Sequence, residues 1–324
     1  MDELDKKILA ELEHQGFQKS ATLAPILGVG ERTIRRRINN MISNRVIKII
    51  AVANPVLCGF RAWTKIGIKV APEYLSRVAR VLVEHPLIYF VAYSFGRFDI
   101  IIAVRFDTVD SLTYFVNSEL TGVEGILNTE AWLLTSPRKY YHFSWPAPVF
   151  EKTKNAREPY REATVNHNLY EIDEVNRGIL GILVEDGLAR AASLNSSLGI
   201  GESTIRRRMK DMLDNEVYKL EVVPNPEVLE YETWATMGIV INHQFAHNII
   251  DCIIKYLPVY LASVSLGRFN IIISARFHNT NALNQFVTAD LPSIRGISSV
   301  ETYIHSKPLK YHNINWSHLI NRSR

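Results

Sequence analysis

The chain is one unit written twice. Gly28-Val29-Gly30-Glu31-Arg32-Thr33-Ile34-Arg35-Arg36-Arg37 returns as Gly199-Ile200-Gly201-Glu202-Ser203-Thr204-Ile205-Arg206-Arg207-Arg208, 171 residues further on. Ser94-Phe95-Gly96-Arg97-Phe98-Asp99 returns at the same offset as Ser265-Leu266-Gly267-Arg268-Phe269-Asn270. Asn54-Pro55 and Asn225-Pro226, Trp63 and Trp234, Glu130 and Glu301, and Trp145 and Trp316 keep it too. A constant offset means no net insertion between these landmarks, and the period is far too long for a solenoid. Whatever one half folds into, the other half must accommodate.

Between the copies, Pro146-Ala147-Pro148 through Pro159 combines prolines with mixed charge and little periodicity, which reads as a linker of some stiffness. The expected division is 1–60, 61–145, a linker over 146–167, then 168–231 and 232–324.

Composition narrows the class. A 47% hydrophobic and 22% charged chain of 324 residues is ordinary for globular domains, so disorder and coiled-coil rods are poor readings. No run approaches the roughly 18 apolar residues of a membrane span; Ile100-Ile101-Ile102-Ala103-Val104 stops at Arg105. The start Met1-Asp2-Glu3-Leu4-Asp5 is acidic, unlike a secretory signal. Cys58 and Cys252 make neither a disulfide framework nor a four-thiolate zinc site, and a reducing cytoplasm is the expected compartment. With a net charge of +4, any nucleic-acid surface must be a local patch.

The first part of each copy reads as helices. Leu4, Ile8, Leu9 and Leu12 lie at helical spacing and Gly16 closes that helix. Ser20 is placed to cap a short second helix ending at Gly28, and a third runs from near Glu31 to about Ser43. Helix, helix, Gly turn, helix is the helix-turn-helix pattern, and Arg45–Val52 follows as a strand or small wing. On the third helix, at 100° per residue, Ile34, Ile38 and Met41 share one sector, with Arg32, Arg35, Arg36 and Asn39 opposite. Arg37 sits at the edge, able to lie along the core or reach a phosphate. No acid is expected to neutralise Arg35 or Arg36. Guanidinium and amide groups on one face are the donors that major-groove base edges and phosphates accept from. The candidate DNA contacts are Arg32, Thr33, Arg35, Arg36, Arg37 and Asn39, with Ser203, Thr204, Arg206, Arg207, Arg208 and Lys210 in copy two. From Glu31 to Lys48 the net charge is +5, and from Glu202 to Lys219 only +1, so copy one is the expected stronger contact.

The second part alternates strand and helix patterns. Strands are expected over Ala62–Val70, Leu87–Phe95, Phe98–Phe106 and Gly125–Thr135, with helices over Pro72–Glu84 and Thr108–Leu120. Gly96-Arg97 suits a two-residue hairpin. The order βαββαβ makes a ferredoxin-like sheet with two helices on one face, and its open apolar face needs a cover that the duplicated copy can supply. The fold class is therefore α+β: two copies of a winged helix-turn-helix followed by a ferredoxin-like domain.

This pairing resembles the leucine-responsive regulator (Lrp/AsnC) family. The resemblance rests on Leu4-Asp5…Ile8-Leu9, Leu23-Ala24…Leu27-Gly28, Ile34…Arg37-Ile38 and Asn54-Pro55…Gly59, and on Gly96-Arg97-Phe98-Asp99 as the Gly-x-x-Asp signature of its RAM-type ligand domain. It implies a transcriptional regulator of double-stranded DNA, an intrachain pseudo-dimer that assembles into homo-oligomers, and a small effector such as an amino acid. The effector residues it implies are Ser94, Gly96, Phe98 and Asp99, with Ser265, Gly267, Phe269 and Asn270. Asn270 lacks the carboxylate of Asp99, which weakens an amino-acid site in copy two.

Some proteins of this architecture are siroheme decarboxylases, also found as fused pairs, and that is the rival reading. Tyr89–Arg97 and Tyr260–Arg268 contain no His to serve a tetrapyrrole. His243-x-x-x-His247 with Cys252 has helical spacing for a metal pair but no counterpart in copy one, and reads as surface. The aromatic run Tyr140–Trp145, echoed by Tyr311–Trp316, reads as packing of the domain tail. No catalytic residue, metal or cofactor is expected.

Overall fold

The computed structural model describes residues 2–15, 17–54, 57–140, 170, 172–224, 231–256 and 258–311. The expected linker, Trp145 and Trp316, and most of both aromatic runs lie outside them.

Three helices open the chain: α1 (Glu3–Gln15), α2 (Ser20–Leu27) and α3 (Glu31–Ser43). Gly28 ends α2 in the left-handed region (φ 66°), which a glycine enters without strain. Lys19, not Ser20, stands at the N-cap of α2, and no side chain caps it. Strand β1 (Ile47–Ala53) follows. The sequence α6 (Glu174–Leu183), α7 (Ala191–Leu198), α8 (Glu202–Asp214) and β6 (Tyr218–Pro224) repeats this order 171 residues later.

Instead of two separate wings, β1 and β6 pair with each other, antiparallel, from Ile47↔Pro224 to Ala53↔Tyr218. The exchange goes deeper than the ladder. Val222 of β6 is buried in the cluster formed by Ile8, Leu12, Ile34 and Ile38. Reciprocally, Ala51 and Ala53 of β1 join Ile179, Leu180 and Leu183 of α6. Gly187 N–H donates to Ile49 C=O (2.9 Å) and Phe17 N–H to Leu220 C=O (3.0 Å). Each helical unit thus uses the other's strand to finish its core.

The remaining strands are β2 (Ala62–Val70), β3 (Ile88–Phe95), β4 (Ile100–Phe106) and β5 (Ile126–Tyr140) in copy one. Copy two supplies β7 (Thr233–Ile241), β8 (Val259–Leu266), β9 (Ile271–Phe277), β10 (Ile297–His305) and the short β11 (Lys310–Tyr311). Within copy one the order β5-β2-β4-β3 is ferredoxin-like. Helices α4 (Leu75–Glu84) and α5 (Val109–Tyr114) cover its outer face, burying Ile66, Ile68, Val78, Leu82, Ile102 and Phe115 together. In copy two, α9 (Ala246–Ile253) and α10 (Thr280–Gln285) do the same over Met237, Ile239, Ile249 and Phe286.

The two sheets close on each other. β5 pairs with β8, and β10 pairs with β3 through Ile304↔Phe95 and His305↔Ser94. These joins are equivalent under the repeat, since Leu133↔Leu266 becomes Ile304↔Phe95 when each residue is exchanged for its mate. The ring β10-β7-β9-β8-β5-β2-β4-β3 is therefore an eight-stranded barrel, a size whose interior side chains fill. Phe98, Trp132, Phe269 and Tyr303 pack at its centre with ring centroids 5.1–6.5 Å apart. Gly67 and Gly238 lie mid-strand because a methyl group there would overlap the rings of Phe98 and Phe269.

Candidate nucleic-acid interface

Helix α3 is held by burial of Ile34, Ile38 and Met41, and α8 by Ile205 and Met212. That packing turns Arg32, Arg35, Arg36 and Asn39 outward in α3, and Ser203, Arg206, Arg207 and Lys210 outward in α8; all eight are exposed. Thr33 and Thr204, in the first turns, are half-buried. Gly30 and Gly201 precede the helices without a side-chain cap.

The triple arginines divide by environment. Arg37 is turned back onto α1, 2.6 Å from Asp2 and 3.3 Å from Asp5. Arg208 pairs with Asp173 at 2.7 Å, the mate of Asp2. These two guanidiniums clamp the third helix of each unit to the start of the first, so Arg37 takes the core-side course open to its edge position, and Arg208 takes the same one. The expectation that no acid meets Arg35 fails, because Glu31 stands four residues before it at 3.6 Å; Glu202 does the same to Arg206 at 2.7 Å. Both pairs are exposed and weak, a form in which a phosphate can replace the carboxylate. Arg32, Arg36 and Arg207 make no ion pair among the described residues. Periodicity along the helix misses Arg45, exposed in the turn that leaves α3 at φ 55°. Its mate is Glu216, a pair that accounts for two of the four charges by which the copies differ over these segments.

The hairpin of the expected effector site is a four-residue loop, not two. β4 starts at Ile100, and Ser94 N–H donates across the loop to Asp99 C=O at 2.8 Å. Gly96 and Gly267 hold φ of 119° and 118°. Asp99 Oδ2 accepts from Val70 N–H (2.9 Å) and Oδ1 from Lys69 Nζ (2.8 Å). Asn270 Oδ1 accepts from Ile241 N–H (3.0 Å), the equivalent backbone donor. Position 240, the mate of Lys69, is Val. Copy two lacks both the carboxylate and its cation while keeping the backbone bond, so Asp99 and Asn270 share the role of tying the hairpin to the neighbouring strand. Phe98 and Phe269 are buried in the barrel, and Ser94 and Ser265 are buried at its joins. Beside them Arg97 reaches Glu130 (3.0 Å), while Arg268 pairs with Glu301 and approaches Glu130 at 3.8 Å, joining the copies.

Comparison with known proteins decides the family. Residues 1–42 match the AsnC-type helix-turn-helix domain, and residues 65–141 match the Lrp/AsnC ligand binding domain. An uncharacterized HTH-type transcriptional regulator of Pyrococcus furiosus, PF1231, is 35% identical over 141 residues, spanning 95% of that protein and 43% of this chain. The chain belongs to the Lrp/AsnC family. HTH-type transcriptional regulator FL11 of Pyrococcus furiosus is 34% identical over 128 residues, 85% of its length and 39% of this chain. These Lrp/AsnC relatives have the length of one copy. Over the whole length, the fold is similar to the siroheme decarboxylase NirDL in co-complex with an iron-uroporphyrin III analogue (TM-score 0.65, 12% identity, covering 99% of this chain and 97% of that one). That likeness is one of architecture.

The side chains of His243 and His247 lie outside the described ones, and no cluster of three His, Cys, Asp or Glu suited to a metal occurs among the described residues. No helix among them is long and apolar enough to cross a membrane.

Proposed function

We propose that this Lrp/AsnC chain is a sequence-specific DNA-binding transcriptional regulator, cytoplasmic, with two winged helix-turn-helix units divided as 1–60 and 168–231 and two ferredoxin-like units at 61–145 and 232–324. The observation that carries the reading is the outward, exposed basic face of α3 and α8, on which Arg32, Arg36 and Arg207 make no ion pair among the described residues. Arg32, Arg36 and Asn39, with Arg35 after exchange of Glu31, contact DNA from copy one; Arg206, Arg207 and Lys210 contact it from copy two. Thr33, Ser203 and Thr204 line the edge, and Arg45 adds a phosphate contact. The effector is a small molecule such as an amino acid, bound where Gly96 and Gly267 expose backbone at the hairpins, and the chain assembles further into homo-oligomers.

The test is a gel-shift titration on genomic fragments at several salt concentrations. R36A and R207A each weaken binding by about 1–3 kcal/mol for a base contact, or lower the salt slope by about 0.9 for a phosphate contact, and R36A has the larger effect. Unchanged affinity and slope in the R36A/R207A double variant sink the reading.

The architecture shared with NirDL favours one second reading, a tetrapyrrole decarboxylase. Against it, among the described residues the cavity beside Lys65 has room for a water-sized particle rather than a macrocycle. A purified protein with tetrapyrrole absorbance and no DNA shift would favour that second reading.

A further inference from the structure

A two-fold relation between the copies runs through the molecule. At the middle of the β1–β6 ribbon, Ile50 stands opposite Glu221, its own mate 171 residues on. In the barrel, Lys65 Nζ donates to its mate Thr236 Oγ1 at 3.0 Å, and Trp132 stacks on its mate Tyr303 with centroids 5.1 Å apart. Helices α3 and α8 therefore hold equivalent places under this relation, each anchored by the same buried side.

Their frames match, but their outward faces do not. Arg35 and Arg36 recur as Arg206 and Arg207, whereas Arg32 gives way to Ser203 and Asn39 to Lys210. All eight side chains are exposed, and neither Arg32 nor Lys210 makes an ion pair among the described residues. Asp211, the mate of Asn40, has its carboxylate engaged by the Tyr170 hydroxyl and by Asn215 Nδ2 (3.2 Å).

The unlike positions differ in donor chemistry. An asparagine amide offers one acceptor and two donors, which fit the N6 amino group and N7 of adenine as a pair. A lysine ammonium offers donors only; it suits the O6 and N7 acceptors of guanine and cannot receive a hydrogen from the adenine amino group. Ser203 has neither the length nor the planar fork of Arg32.

Resting on the DNA-binding reading above, we infer that the operator is built of two unlike half-sites. They agree where Arg35 and Arg36, or Arg206 and Arg207, meet the groove; they differ in carrying adenine before Asn39 and guanine before Lys210. Asn39 and Lys210 are the residues that set the difference, and Arg32 adds a contact in copy one that Ser203 does not match. The chain then lies on its operator in one direction.

The test uses the full chain to select duplexes from a random-sequence pool. The recovered site is rebuilt as three duplexes that vary only at the base facing Asn39 and Lys210: adenine with guanine, adenine in both halves, or guanine in both. Gel-shift titrations at one fixed salt concentration rank them. The wild type binds the unlike duplex about tenfold more tightly than either symmetric one, the size of one good side-chain-to-base contact. K210N moves the optimum to adenine in both halves, and N39K moves it to guanine in both; each variant carries the comparison alone. A palindromic selected site, or equal affinity for all three duplexes, overturns the inference and leaves the regulator reading standing. So does an optimum that stays on the unlike duplex in both variants. A pool from which no sequence is enriched sinks the regulator reading itself, and the inference with it.

Discussion

Lys65 is the residue whose surroundings most change its chemistry. Burial pulls its ammonium down from the usual lysine range to about 7. A base with a lowered folded-state pKa binds fewer protons folded than unfolded between those two values, so stability rises with pH across that window. Urea unfolding of the wild type should show stability climbing from pH 7 to 9.5. K65M should flatten that climb, and a slope unchanged in K65M would place the titration elsewhere. His305, held well below 6.5 by burial and by Lys65, adds a loss of stability as pH falls below 6.5, outside the window. None of this is legible in the local sequence. In Ala62–Val70 a lysine between apolar residues reads as the solvent side of a strand, and only closure of the barrel turns it inward. Asp99 shows the same limit, because its partners Lys69 and Val70 stand on another strand. Arg37 was half legible: its edge position on the helix was evident, but Asp2 and Asp5 reach it only after α1 folds across α3.

The helices and strands themselves were largely written in periodicity. α3 has the expected limits, since Gly30, Ile34, Ile38 and Met41 fix its start and its buried face. β5 is the clearest miss, continuing to Tyr140 because β8 offers it a ladder beyond its own sheet. The strand after α3 was visible as a strand, but its partner was not, because β1 and β6 find each other across 171 residues. That ribbon fixes α3 relative to α8. Proline in the middle of a ladder removes a backbone donor and is poorly accommodated. V223P, at a ladder position outside the helical cores, should lower affinity for a two-half-site duplex roughly tenfold or more, as bivalent binding loses its effective concentration, while leaving single half-site affinity in place. Fluorescence anisotropy with one- and two-site duplexes distinguishes this from general unfolding, in which both affinities fall.

For the whole molecule, duplication and the ferredoxin-like order were readable, and so was the need to cover an apolar sheet face. The closed form of the cover was not, since it depends on edge strands meeting at two equivalent joins. Trp132, Phe98, Phe269 and Tyr303 are drawn from both copies into one interior, so the barrel should unfold as one cooperative unit. F98A and F269A, each a large-to-small change in that interior costing about 3–5 kcal/mol, should each shift one common transition. Coincident tryptophan fluorescence and far-UV circular dichroism curves are the expected result; a split into two transitions would show that the halves unfold separately.

In an assembly of two identical polypeptides, any substitution on the symmetry axis meets its own image, so an ammonium there would confront a second ammonium. Joining the copies in one polypeptide lifts that restriction. Lys65 can oppose Thr236 because a single codon now alters one side of the seam alone. Tethering thus opens the centre of the molecule, where a symmetric ancestor had the least freedom, to chemistry that no exchange of equal partners could hold.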